Sequence, residues 1–272
     1  MHTTGFAVFG QELYLEESIK AIEAFRDEPL DRHLSAKIAE LLPHKSQSTR
    51  LRVATKIVQR FFKTAAFLKF INTVKSESSK HDLLYWRAAR TDNIISEIAR
   101  EIIYPYFVLD SIPEGYDESS FHLANTATLF VVDRVISSDF AEAYAKKIFH
   151  FDSPRTVALS LRIMKQAGIL DAVTVKLGRR HVSGYYTQPH SLQPEVFAYC
   201  VYEEFGGDAI SLDRLENGDC VKLFFLNRLQ VESLLKSLER KKLIEYITLP
   251  GGKSIRFTSS SLDDLVSALI GN

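Results

Sequence analysis

Arg52, Lys56, Arg60 and Lys63 follow one another at steps of four, four and three residues. On a helix that spacing gathers cations on one face, where guanidinium and ammonium groups can grip phosphate oxygens. They belong to a stretch, residues 41–76, that holds eight Lys and Arg and no acid at all. A solvated structural helix usually mixes signs to gain pairs within itself. This one does not. Lys45 precedes the run, and Ser48, Thr49 and Gln59 add polar groups to it. Two further basic islands follow. Residues 153–192 carry Arg155, Arg162, Lys165, Lys176, Arg179 and Arg180 against Asp171 alone. Residues 222–256 hold eight bases and three acids, with Arg228, Lys236, Arg240 and Lys253 as the candidate contacts.

The chain as a whole has 34 basic and 34 acidic residues, a balance unlike that of most DNA-binding domains. Placing the charges resolves the difficulty. Residues 1–40, 77–152 and 193–221 are acidic, so a neutral total hides three basic islands between acidic spacers. Clustered base, more than net base, lets a protein engage a phosphate backbone. The alternatives at this level are chance clustering on solvated faces, or basic helices that dock on acidic segments of the same chain.

Each island sits in a pattern able to position it. In the first, Leu15, Ile19, Ile22 and Phe25 recur at helical spacing, and Leu34–Leu42 reads as a short helix ended by Pro43 and His44. Ser46 is placed to cap the next helix, expected over Gln47–Phe70 with Leu51, Ala54, Val58, Phe61 and Ala65 inward. Helix, short break and basic helix is the layout of a helix-turn-helix. In the second, Ser153-Pro154 starts a helix with Val157, Leu161 and Met164 inward. Gly168 ends it, and strands at Val173–Leu177 and Val182–Thr187 flank an arginine tip, as in a winged helix. In the third, Ile210–Leu215 reads as a short first helix. Asn227–Lys241 reads as a helix with Val231, Leu234, Leu235 and Leu238 inward, and a hairpin turns at Pro250-Gly251-Gly252. Winged helices also bind proteins, so the third island is open to either partner.

Between these units, Ser79–Val108 reads as a long helical region, and Ser111–Ser120 as a linker. Further helices are expected at Ser120–Ile136 and Ser138–Phe149. The expected fold is mainly α: a helical bundle with helix-turn-helix and winged-helix units carrying short β-hairpins. Its parts are an N-terminal helical domain (1–112), a helical and winged-helix domain (113–192) and a C-terminal winged helix (193–272).

Catalytic signatures are missing. There is no GxxxxGK[ST], no GxGxxG and no HExxH, and Gly251-Gly252-Lys253-Ser254 is too short for a phosphate loop. His33 and His44 lack companions for a metal, and adjacent Glu203 and Glu204 read as solvated. Cys200 and Cys220 read as reduced core residues, which suits a cytoplasmic protein. No leader peptide and no membrane span are expected, since Pro105 and Asp110 interrupt the most apolar stretch. The expectation is therefore a protein with no catalytic residues, no metal and no cofactor, binding double-stranded DNA. A protein-interaction scaffold and a winged-helix transcriptional regulator are the alternatives.

The blocks YLEESIKAIEAF, KSQSTRLRVATKIVQRFF, DSPRTVALSLRIMKQAGIL and SGYYTQPHSLQPEVFAYCVYE, in this order, resemble the BrxA-like proteins of bacterial BREX phage-restriction systems. The similarity spans roughly residues 10–205, and the residues beyond read as an added winged helix. The resemblance implies a helical double-stranded-DNA-binding component working beside a methyltransferase and an ATPase. It also implies that the basic positions of the Lys45–Lys63 and Ser153–Arg180 blocks are the ones that touch DNA.

Overall fold

A computed structural model describes residues 13–31, 33–108, 131–132, 135–137, 154–177, 180–187, 190–249 and 252–271. Its N-terminal part is helical: α1 (Leu15–Phe25), α2 (Leu34–Leu41), α3 (Gln47–Phe61), α4 (Ala65–Thr73), α5 (Glu77–Thr91) and α6 (Asn93–Ile98). A π-helical turn over Ala99–Ile103 carries α6 into α7 (Tyr104–Val108). The expected helix Gln47–Phe70 is really two. It breaks at Phe62–Thr64 because α4 folds back to stack Phe67 on Phe61, with ring centroids 6.2 Å apart. The long region Ser79–Val108 breaks likewise at Asp92, whose carboxylate accepts the Ile94 N–H at 3.3 Å and starts α6.

Two winged-helix units follow, built to one plan. The first contains β1 (Val131–Val132), β2 (Val135–Ser137), α8 (Pro154–Gln166), β3 (Leu170–Leu177) and β4 (Arg180–Thr187), with strand order β1-β2-β4-β3. The helix expected at Ser120–Ile136 is thus wrong over its last residues. Val131, Val132, Val135 and Ile136 are β-branched, and Ile136 pairs with Tyr185. The Ser111–Ser120 linker, the start of that helix and the helix at Ser138–Phe149 lie outside the described residues. The second unit contains α9 (Pro194–Phe205), β5 (Ile210–Ser211), α10 (Leu212–Glu216), α11 (Asp219–Lys222) and α12 (Arg228–Arg240). It ends with β6 (Ile244–Leu249), β7 (Gly252–Phe257) and α13 (Leu262–Gly271), in strand order β5-β7-β6. The short first helix expected at Ile210–Leu215 begins as a strand instead, because Ile210 and Ser211 pair with Ile255 and Ser254.

The two units match closely. In each, an Ile-Ser dipeptide (Ile136-Ser137, Ile210-Ser211) pairs with the last strand of the hairpin. In each, a 13-residue helix precedes the hairpin. Three residues then lead into the next strand, and the middle one, Gly168 or Lys242, has a left-handed backbone. The repeat is visible in the sequence as Ile136-Ser137-Ser138-Asp139 against Ile210-Ser211-Leu212-Asp213, a signal that the reading by islands passes over.

One apolar core joins the N-terminal helices to the last unit. Helix α9 runs through it with every residue from Val196 to Tyr202 buried. Phe70 stacks on Tyr199 at 5.2 Å, and Trp86 on Phe224 at 6.3 Å. Polar ties reinforce the junction. Arg87 and Trp86 both donate to Glu203, whose side chain is 13% exposed. Arg90 and Arg100 converge on Asp219 at 3.1 and 2.9 Å. Glu204 accepts the backbone N–H groups of Asp219 and Cys220, each at 2.8 Å, and so caps α11. Glu203 and Glu204 are therefore structural, not solvated. A carboxylate half-hidden in a core is retained when several donors satisfy it. Cys200 and Cys220 are free and fully buried, and burial pushes both thiols well above their ordinary range.

Candidate nucleic-acid interface

Helices α2 and α3 pack against each other across the break Leu42–Ser46. Ser46 has the extended backbone of a cap, but its hydroxyl lies 2.7 Å from the Ser48 hydroxyl and bonds no N–H of the helix. The buried side of α3 is Val53, Ala54, Ile57, Val58, Arg60 and Phe61. This is a rotation from the expected stripe. Leu51, expected inside, is 47% exposed, and Ala65 is exposed at the start of α4.

The rotation sorts the expected contacts. Lys45, Ser48, Arg52, Gln59 and Lys63 are exposed, while Thr49 and Lys56 are half-buried. Arg60 is corrected outright: it is 3% exposed and faces the core. Its partner in charge is Asp92, at the junction of α5 and α6, with Tyr14 also near. Burial depresses the Arg60 guanidinium and raises the Asp92 carboxyl, and their mutual attraction opposes both shifts. Lys56 lies between the two environments. Burial pushes its ammonium below 10.5, Arg60 and Arg52 push it further down, and Asp92 alone pulls back. Among the described residues, Lys45, Arg50, Arg52, Lys56 and Lys63 form no ion pair. The helix and its two ends thus carry a row of cations free of ion pairs, and at Lys56 two of the three charged neighbours are themselves cations.

In the second island, Arg162 and Lys165 are exposed on α8, with Val157, Leu161 and Met164 buried as expected. The side chains of Arg155 and Arg180 and the whole of Arg179 lie outside the described residues. The segment Leu13–Tyr14 stitches this island to the first. The Leu13 N–H donates to Gln166 of α8 at 2.9 Å, and Tyr14 meets His44, in the α2–α3 break, edge-on at 6.1 Å. Helix α6 also packs against α8.

The third island differs. Helix α12 packs on α9 and β6 with Val231, Leu234, Leu235 and Leu238 buried, and a full capping box at Asn227 and Gln230 fixes its start. Arg228, Lys236, Arg240 and Lys253 are all exposed. Arg228 is already engaged with Glu216 at 3.6 Å and Glu232 at 3.3 Å. Lys236 and Lys253 line one groove with Glu232 and Glu239. This face mixes signs and adds Leu229, 76% exposed, and Tyr246.

No group of three or more His, Cys, Asp or Glu is placed to hold a metal among the described residues, and no helix there is long and apolar enough to cross a membrane. Comparison of the chain with protein-family models, with curated proteins and with solved structures gave no match.

Proposed function

We propose that this chain is a non-catalytic double-stranded-DNA-binding protein, acting as an accessory component of a bacterial anti-phage defence system of the BREX type. The observation that carries the DNA reading is the unpaired cation row of α3, with Lys56 depressed by burial and by its cationic neighbours. Like charges held together cost free energy in the unbound protein, and a polyanion removes that cost. Lys45, Arg52, Lys56 and Lys63 grip phosphates, with Ser48, Thr49 and Gln59 beside them. Arg162 and Lys165 extend the surface across the Leu13–Tyr14 stitch. Phosphate contacts dominate, so discrimination among sequences is weak. The defence role rests on the resemblance of the four sequence blocks alone. A methyltransferase and an ATPase are the expected protein partners, and the cytoplasm the expected compartment.

A second reading is favoured for one unit. The mixed-sign, partly apolar face of α12 suits a protein partner better than a duplex. The test is fluorescence anisotropy of the full chain with a random duplex and with its scrambled control. Comparable binding to both supports the proposal. No binding to either leaves the protein-interaction scaffold, and one strongly preferred operator points to a transcriptional regulator.

A further inference from the structure

Helix α3 has six apolar residues, Leu51, Val53, Ala54, Ile57, Val58 and Phe61, and five of them are buried. Leu51 alone turns outward, at 47% exposure. It lies in a row with Gln47, Thr55 and Gln59 at steps of four, and none of these carries charge. Gln47 and Gln59 are exposed and Thr55 half-buried. The Thr55 hydroxyl donates back to the Leu51 carbonyl at 2.8 Å, so its proton is spent within the helix. The adjacent row, Ser48, Arg52 and Lys56, supplies the cations.

We infer that these two rows divide the work of recognition: the charged row holds phosphates, and the uncharged row faces base edges in the major groove, with Leu51 against the C5-methyl group of a thymine. The inference rests on the DNA-binding reading above and deepens it. A major groove admits one helix, and thymine is the base that offers an apolar group there. Glutamine amides match the N6 and N7 positions of adenine, which pairs with thymine, so the row as a whole suits an A·T step. An outward leucine beside free cations contributes nothing to phosphate binding. It gains only where an apolar ligand atom meets it.

Replacing thymine by deoxyuridine removes that methyl group and leaves base pairing intact. Binding of the full chain to a short alternating A–T duplex and to the same duplex with uracil is measured by anisotropy. The wild type is expected to bind the uracil duplex about fourfold more weakly, the worth of one buried methyl group. Leu51→Ala is expected to bind both duplexes alike, with an unchanged salt dependence and thermal midpoint, because the side chain is exposed and uncharged. Equal wild-type binding to the two duplexes overturns the inference while leaving DNA binding in place. So does a thymine preference that survives in Leu51→Ala. Absence of binding to either duplex overturns this inference together with the reading beneath it.

Discussion

Gly168 and Lys242 occupy the same position in the two winged helices, and both hold a left-handed backbone, with φ of 75° and 56°. The N–H of each bonds back to the helix it ends, at 3.0 Å to Lys165 and 2.8 Å to Glu239. The next residue, Ile169 or Leu243, bonds the carbonyl of Met164 or Leu238 in the same way. This is the glycine-favoured way to end a helix. A lysine there bears the Cβ strain that glycine avoids. Lys242→Gly is expected to stabilise the protein by about 1 kcal/mol. Gly168→Ala is expected to destabilise by a similar amount. A Cβ at Gly168 would meet nothing within 4 Å, so the cost is in the backbone alone. Urea midpoints that move in opposite directions at constant m-value check this. A loss of stability in Lys242→Gly would contradict it.

Arg60 and Arg52 are two turns apart on one helix and are expected to fail differently. Arg60→Ala removes a buried side chain beside Asp92 and should lower stability by about 1–3 kcal/mol. Arg52→Ala should leave the thermal midpoint unchanged and weaken duplex binding on the order of threefold to tenfold. Paired thermal melts and binding titrations separate the two effects. Equal melting temperatures for wild type and Arg60→Ala would show that the guanidinium is not part of the core.

Lys56 trades stability for binding. Its ammonium is depressed below 10.5 by burial first and then by Arg60 and Arg52. Between that lowered value and 10.5 the unfolded chain holds the extra proton, so stability should rise with pH across this alkaline window. Lys56→Met is expected to flatten that rise and to raise the thermal midpoint at neutral pH, while weakening duplex binding several-fold. Phosphate favours the charged lysine, so wild-type affinity should fall as pH climbs through the same window. A pH series of melts and titrations reads both signs. A midpoint lowered by Lys56→Met would contradict the account.

The parts of this fold that are legible in the sequence are those whose logic is local. Helix α12 has one apolar stripe, one capping pair and one hairpin behind it, and Val231, Leu234, Leu235 and Leu238 are buried as their spacing requires. Helix α3 offers two overlapping stripes, and the spacing does not choose between Leu51 and the pair Val53 and Ile57. That choice is made by α2 and α5, which pack against α3. Arg60 reads as one more cation until Asp92, far along the chain, is brought beside it. The break between α3 and α4 has no proline or glycine to announce it, since it follows from the stacking of Phe61 and Phe67. Of the candidate site, the exposure of Lys45, Arg52, Lys63, Arg162, Lys165, Arg228, Lys236, Arg240 and Lys253 is legible from residue type and spacing. Their division into an unpaired row on α3 and a mixed face on α12 is not, because ion pairs such as Arg228 with Glu216 join separate elements.

The central claim is that the basic islands hold phosphates, and the salt dependence of duplex binding tests it most directly. Each phosphate contact contributes roughly −0.9 to the slope of log K against log salt. With Lys45, Arg52, Lys56 and Lys63 on the first island and Arg162 and Lys165 on the second, a slope of about −4 or steeper is expected for the full chain. Reversing charge in the groove between α12 and β7, as in Lys236→Glu with Lys253→Glu, should leave that slope unchanged if this face takes a protein partner. A full-chain slope near zero would mean that the cations of α3 and α8 are not phosphate contacts, and the DNA-binding account would fall.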